Sequence, residues 1–164
     1  MIDLSGIFNW QRLDARITTS GQPSAAELGQ IAGIGVTNVI NLALHSHEKA
    51  LPDEAATVTG LGMAYTHIPV DFGHPTEADY QRFCAAMAAT DAAPVHVHCI
   101  ANLRVTAFLY RYHAGVPHRR AGDAGAIMAR ALMESVWRPG GVWAAFIGDA
   151  DNAARPHRFA HQDY

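Results

Sequence analysis

The sequence predicts an α/β domain with a central, mainly parallel sheet flanked by helices. Three observations predict it. β-branched, apolar runs such as Val36–Leu44 and Met63–Val70 alternate with segments of helical periodicity. Two helical segments open on a capping pattern, Ser24 with Glu27 and Thr76 with Asp79. The alternating run Val95-His96-Val97-His98 leads through a short turn straight into an apolar-periodic segment, Leu103–His113. Strands separated by helices make parallel sheets covered on both faces.

In order, Ile2–Asp14 is a mixed arm whose Phe8, Trp10 and Leu13 are expected to pack onto the body. Arg16–Ser20 reads as the first strand, ended by Gly21-Gln22-Pro23. Ser24 caps a helix that runs to about Ile34, buries Leu28, Ile31 and Ala32, and stops at Gly35. Val36–Leu44 is a strand buried on both faces. Pro52-Asp53-Glu54 starts a second helix, stopped near Gly60 or Gly62, and Met63–Val70 is the next strand. Asp71–Pro75 is a loop. Thr76 caps a helix that turns Tyr80, Phe83, Met87 and Ala88 inward and ends near Asp91. The strand-turn-helix of 95–113 follows, then two helices at about 119–136 and 141–150 with core tryptophans at Trp137 and Trp143, and a polar tail.

The 164 residues are expected to form one domain, long enough to bury a core without disulfides or metal. Apolar residues make up 49% and charged residues 16%, as in a compact domain rather than a disordered chain. A formal charge of -3 gives no basic field for nucleic acid or an anionic membrane. No apolar run has membrane-spanning length, and the N-terminus lacks signal-peptide features, so a reducing cytoplasm is expected. The two cysteines, Cys84 and Cys99, make neither a disulfide framework nor a structural zinc pattern. Cys84 reads as packing. No pair among His45, His47, His67, His74, His96 and His98 has the i, i+4 spacing of a helical metal site, so neither metal nor cofactor is expected.

Cys99 is different because of its place. A cysteine between the end of a strand and the start of a helix faces loop amides and a helix N-terminus, which favour thiolate over thiol and make a seat for an oxyanion. Ligands of parallel sheets sit beyond the carboxyl ends of the strands, where both Cys99 and Asp71 are expected. Phosphoryl transfer to a thiolate needs a nucleophile, donors around the phosphate oxygens and an acid for the leaving oxygen. Cys99 suits the first role. The amides of Ile100, Ala101, Asn102, Leu103 and Arg104, with the Arg104 guanidinium, suit the second. Asp71 suits the third. Thr106 has a hydroxyl to offer the sulfur, and His98 is expected to orient the loop through backbone. Of these loop residues, Asn102 tolerates positive φ and Ile100 resists it.

The segment Pro94–Arg104 resembles the phosphate loop of the cysteine-dependent protein tyrosine and dual-specificity phosphatases, whose signature is His-Cys, five residues, Arg, then Ser or Thr. Three further stretches, Thr19–Ser24, Val39-Ile40-Asn41-Leu42 and His67-Ile68-Pro69-Val70, are similar to a bacterial branch of that superfamily. In that branch the phosphatase-like domain occurs alone or fused to metallo-β-lactamase-like hydrolases. The resemblance covers about residues 16–113. It implies a dual-specificity-phosphatase-like fold and a metal-free cysteinyl-phosphate mechanism on phosphorylated substrates, with Cys99 as nucleophile and Asp71 as acid.

The loop departs from the signature: four residues, Ile100 to Leu103, separate Cys99 from Arg104. A loop one residue shorter leaves Arg104 on phosphate with Val105 at the hydroxyl position. The other register puts Thr106 at the hydroxyl position and Val105 in place of the arginine. Two alternatives to a phosphatase therefore stand: an impaired phosphatase-fold protein binding an anion or a protein partner, and a rhodanese-like or redox thiol protein.

Overall fold

The computed structural model describes residues 1–114 and 142–147. Its strands are β1 (Gln11–Arg12), β2 (Ile17–Ser20), β3 (Asn38–Asn41), β4 (Ala64–His67) and β5 (Val95–His98). Its helices are α1 (Ala25–Gly33), α2 (Glu54–Gly60), α3 (Glu77–Ala89), α4 (Leu103–Ala114) and α5 (Val142–Phe146). The sheet order is β1-β2-β5-β3-β4, with β1 antiparallel to β2 and every other pair parallel. The strand that carries Cys99 is therefore central.

The helix starts follow from their capping residues. Ser24 and Thr76 each accept from the third helical amide, and Glu27 and Asp79 accept the cap amide in return. Gly35, at φ 92°, ends the first helical segment in the left-handed region. The structure differs from expectation in the arm, where β1 was not anticipated and Phe8 is exposed, while Trp10 and Leu13 pack and Leu4 and Ile7 join the buried core. Ala88 faces solvent, one residue beyond the buried Met87. The strands are shorter than their apolar runs, because Leu42 and Val70 continue the pairing as irregular backbone. The segment 119–136, Trp137 and the tail lie outside the described residues.

Two cores flank the sheet. On one face Ile17, Ile40, Val97 and Cys99 pack with Phe83 of α3, Phe108 of α4 and Trp143 of α5. On the other, Val39 packs with Leu28 and Ile31 of α1 and Val58 of α2. Parallel register aligns Ser20, His98, Asn41 and His67 in one row and Thr18, His96, Val39 and Tyr65 in the next. Since side chains alternate between faces, these rows lie on the α1/α2 face and put a polar stripe at the carboxyl end of the sheet.

Candidate active site

Cys99 directly follows β5, and its side chain is fully buried on the α3/α4 face. The turn from Cys99 into α4 contains one residue at positive φ, Asn102 at 66°, the residue the sequence marks as tolerant. Each loop carbonyl accepts from a group outside the turn. The Cys99 carbonyl faces His98 Nδ1 at 3.2 Å. The Ile100 carbonyl accepts from the Gln22 amide at 2.9 Å. The Ala101 carbonyl accepts from Asn9 Nδ2 at 3.0 Å. The Asn102 carbonyl accepts from Thr106 Oγ1 at 2.7 Å and from the Thr106 amide at 3.2 Å. Among the described residues the amides of Ile100, Ala101, Asn102 and Leu103 have no acceptor. A turn with its carbonyls held from outside and its amides unengaged has the polarity of an anion nest.

Close packing sets that shape. A Cβ on Gly21 would lie 2.5 Å from the Ile100 carbonyl oxygen and 2.7 Å from Phe8 Cδ1, so only glycine lets the 21–22 turn approach. Asn102 Nδ2 donates to the Asn9 carbonyl at 2.8 Å and to Thr19 Oγ1 at 2.9 Å, tying the loop to the arm and to β2.

Arg104, in the first turn of α4, is fully buried. Its Nη1 donates to the Val70 carbonyl at 2.7 Å, and its guanidinium lies 5.6 Å from the Phe72 ring centroid. Those two residues flank Asp71. Trp143 Nε1 donates to the Phe72 carbonyl at 3.0 Å and anchors the other side of the same loop. Asp71 itself is exposed, and its Oδ1 accepts from the Gly73 amide at 2.8 Å in a tight turn. Val105 packs in the apolar core, so the arginine rather than the valine faces the Asp71 loop. The Thr106 hydroxyl donates to the Asn102 carbonyl at 2.7 Å. That is the back-bonding common to hydroxyls near helix starts.

Beneath the loop lies a buried polar network that sequence reasoning missed. His98 Nε2 is 3.0 Å from Glu54 Oε2, both side chains being buried. Glu54 also accepts from Gln22 Nε2 at 2.6 Å and Asn41 Nδ2 at 3.0 Å. Burial pushes the Glu54 carboxyl up, but hydrogen bonds and charge from His98, with hydrogen bonds from Gln22 and Tyr65, outweigh it and leave it below its ordinary value. Burial, joined by Glu54, pushes the Tyr65 phenol up. Tyr65 Oη lies 3.1 Å from both Asn41 Nδ2 and His45 Nε2, and the His45 ring stacks on His67 at 3.7 Å. Glu54 gives little sign of itself in sequence, being one acid in the first turn of a short helix. The described residues hold no cluster of His, Cys, Asp and Glu suited to a metal, and no described helix is long and apolar enough to cross a membrane.

A central parallel strand followed by a cysteine, an outward-carbonyl turn and a helix bearing a buried arginine define a protein of the cysteine-dependent tyrosine and dual-specificity phosphatase fold. Comparison supports this. The chain is similar to the solved "Putative phosphatase (DUF442)" of Shewanella putrefaciens CN-32, at 32% identity and TM-score 0.77, over 89% of this chain and 93% of that one. The chain belongs to this DUF442 family. Its fold is also that of Pseudomonas aeruginosa TpbA, solved as a variant in complex with pTyr, at 19% identity and TM-score 0.69, over 93% of this chain and 90% of that one. A beta-lactamase hydrolase-like protein of Xylella fastidiosa is 36% identical over 95 residues, 56% of this chain. The chain spans about a fifth of the length of that curated relative, 22%. No family model matches the chain.

Proposed function

We propose that this protein is a phosphatase that hydrolyses phosphomonoesters through a cysteinyl-phosphate intermediate. The observation that carries the reading is the polarity of the Cys99–Leu103 turn, every carbonyl of which from Cys99 to Asn102 is held from outside. The inward amides and the Arg104 guanidinium hold the three non-bridging phosphate oxygens. The Cys99 thiolate attacks phosphorus, the S–P bond forms as the ester P–O bond breaks, and Asp71 in its acid form protonates the leaving oxygen. Water then attacks phosphorus, Asp71 takes its proton, and the S–P bond breaks to return thiolate and inorganic phosphate. His98, Asn9, Gln22 and Thr106 hold the loop carbonyls in place. The pTyr bound by the TpbA variant makes an aryl phosphate the first substrate class to try.

The test is hydrolysis of p-nitrophenyl phosphate by the wild type and by Cys99→Ser. Hydrolysis inhibited by vanadate and abolished by the substitution is expected; activity that survives it overturns the mechanism.

A second reading, anion binding without turnover, is favoured by the complete burial of Cys99 and Arg104. Tight vanadate binding with no hydrolysis of any phosphomonoester would select it.

A further inference from the structure

Glu54 is 2% exposed, lies at the first position of α2 and meets His98 from the opposite side of the ring to the catalytic loop. Resting on the phosphatase reading of Cys99, we propose that Glu54 is a positioning residue for that loop. It fixes the His98 ring between its own carboxylate and the Cys99 carbonyl, and so keeps that carbonyl turned away from the bound phosphate.

His98 Nδ1 faces a carbonyl oxygen, which only accepts, so Nδ1 carries a proton. The orientation of Asn41 is set independently, because its Oδ1 accepts from the Ala43 amide at 2.8 Å. Its Nδ2 must therefore donate, and it points at Glu54 Oε2. Gln22 Nε2 points at Oε1. Two amide donors directed at one carboxyl group suit its ionised form. With Glu54 ionised, the 3.0 Å contact from Oε2 to His98 Nε2 requires a proton on that nitrogen as well.

His98 is then an imidazolium one residue before the nucleophile, and Glu54 is its counter-ion on the far side. The other groups around the pair do not supply that charge. His96 on β5 is engaged by Thr18 and Ser20, Tyr65 on β4 by Asn41 and His45, and His67 on β4 by the Ala43 carbonyl. Gln22 adds a second link, since its amide holds the Ile100 carbonyl while its side chain holds Glu54. One carboxylate thus acts on two of the loop carbonyls, through His98 and through Gln22.

Glu54→Gln tests this, because it preserves shape and a hydrogen bond to His98 while removing the charge. In a Cys84→Ala background, so that iodoacetamide reports Cys99 alone, two readouts are taken on the intact protein. The ring ¹⁵N shifts of His98 at pH 7.5 are expected at imidazolium values for both nitrogens in the parent protein, and at those of a neutral Nδ1–H ring in the variant. Alkylation of Cys99 at pH 7 is expected to slow about tenfold in the variant, as loss of a neighbouring positive charge predicts. A parent His98 with a bare Nε2 overturns the proposal whether or not the variant folds. So does a folded variant with unchanged ring shifts and alkylation. Failure of the phosphatase reading looks different: parent Cys99 unprotected by vanadate and no phosphomonoester hydrolysed, with the His98 shifts as expected.

Discussion

Arg104 Nη1 donates to the carbonyl of Val70, the residue immediately before Asp71, at 2.7 Å. The side chain proposed to hold phosphate thus also holds the loop that carries the proposed acid. With Phe72 beneath the guanidinium and Trp143 on the Phe72 carbonyl, Asp71 sits between two anchored neighbours. Arg104→Lys keeps the charge but loses the planar fork. It should lower kcat for p-nitrophenyl phosphate about 10²-fold, the scale of losing a preorganised oxyanion donor. Steady-state kinetics alongside thermal melts check this, and an R104K enzyme with wild-type kcat would remove Arg104 from the site.

Gly21→Ala forces a methyl group against the Ile100 carbonyl. Overpacking of this kind costs about 1–3 kcal/mol. Because the collision is with loop backbone, kcat should fall even at temperatures where the variant remains folded. Urea unfolding and hydrolysis rates on the same preparation separate the two effects, and a variant impaired in neither would mean that the turn at 21–22 does not brace the loop.

The capping boxes, the strand–helix alternation and the Cys99 turn were legible in the sequence because each rests on contacts within a few residues. Even the tolerance of Asn102 for positive φ is a local property, and the loop uses it. Glu54 was not legible. Its partners Gln22, Asn41 and His98 meet only when parallel register aligns Ser20, His98, Asn41 and His67 across the strands. Phe8 looked like core because its type is apolar, whereas its position leaves it at 55% exposure. Thr106 illustrates a different limit: the sequence offers a hydroxyl near the loop, and its bond to the Asn102 carbonyl depends on how the turn closes.

Thr106→Val removes that hydroxyl with little change of shape. Loss of one hydrogen bond should lower unfolding free energy by about 1 kcal/mol. Formation and hydrolysis of the phosphoenzyme should slow together, since the loop itself is loosened. Pre-steady-state kinetics decide the matter: hydrolysis slowed alone, with accumulated phosphoenzyme, would return the hydroxyl to the sulfur.

His96 predicts an acid-sensitive fold. Burial, with a smaller contribution from His98, pushes it well below 6.5. Its partners agree with a neutral ring: Ser20 Oγ donates to the Gly21 carbonyl and so accepts from Nε2, leaving Nδ1 to accept from Thr18. A histidine with a depressed folded pKa is protonated first in the unfolded chain, so its stabilisation is complete above pH 6.5 and is lost as pH falls below it. Urea unfolding should show stability declining from pH 6.5 towards 5.5 with a limiting slope of about 1.4 kcal/mol per pH unit from this group. Half-buried His67, also lowered by burial, acts in the same direction. Glu54, lowered from 4.5, contributes only in the more acidic window below that value. Stability that does not decline between pH 6 and 5 would contradict a buried neutral His96.

The central claim is that Cys99 carries the phosphoryl group. Rapid acid quench of the protein during p-nitrophenyl phosphate turnover, followed by peptide mass analysis, reads it most directly. The mass of one phosphoryl group is expected on the peptide containing Cys99, and none when vanadate is present. Turnover with that peptide unmodified and Cys99→Ser still active would contradict it.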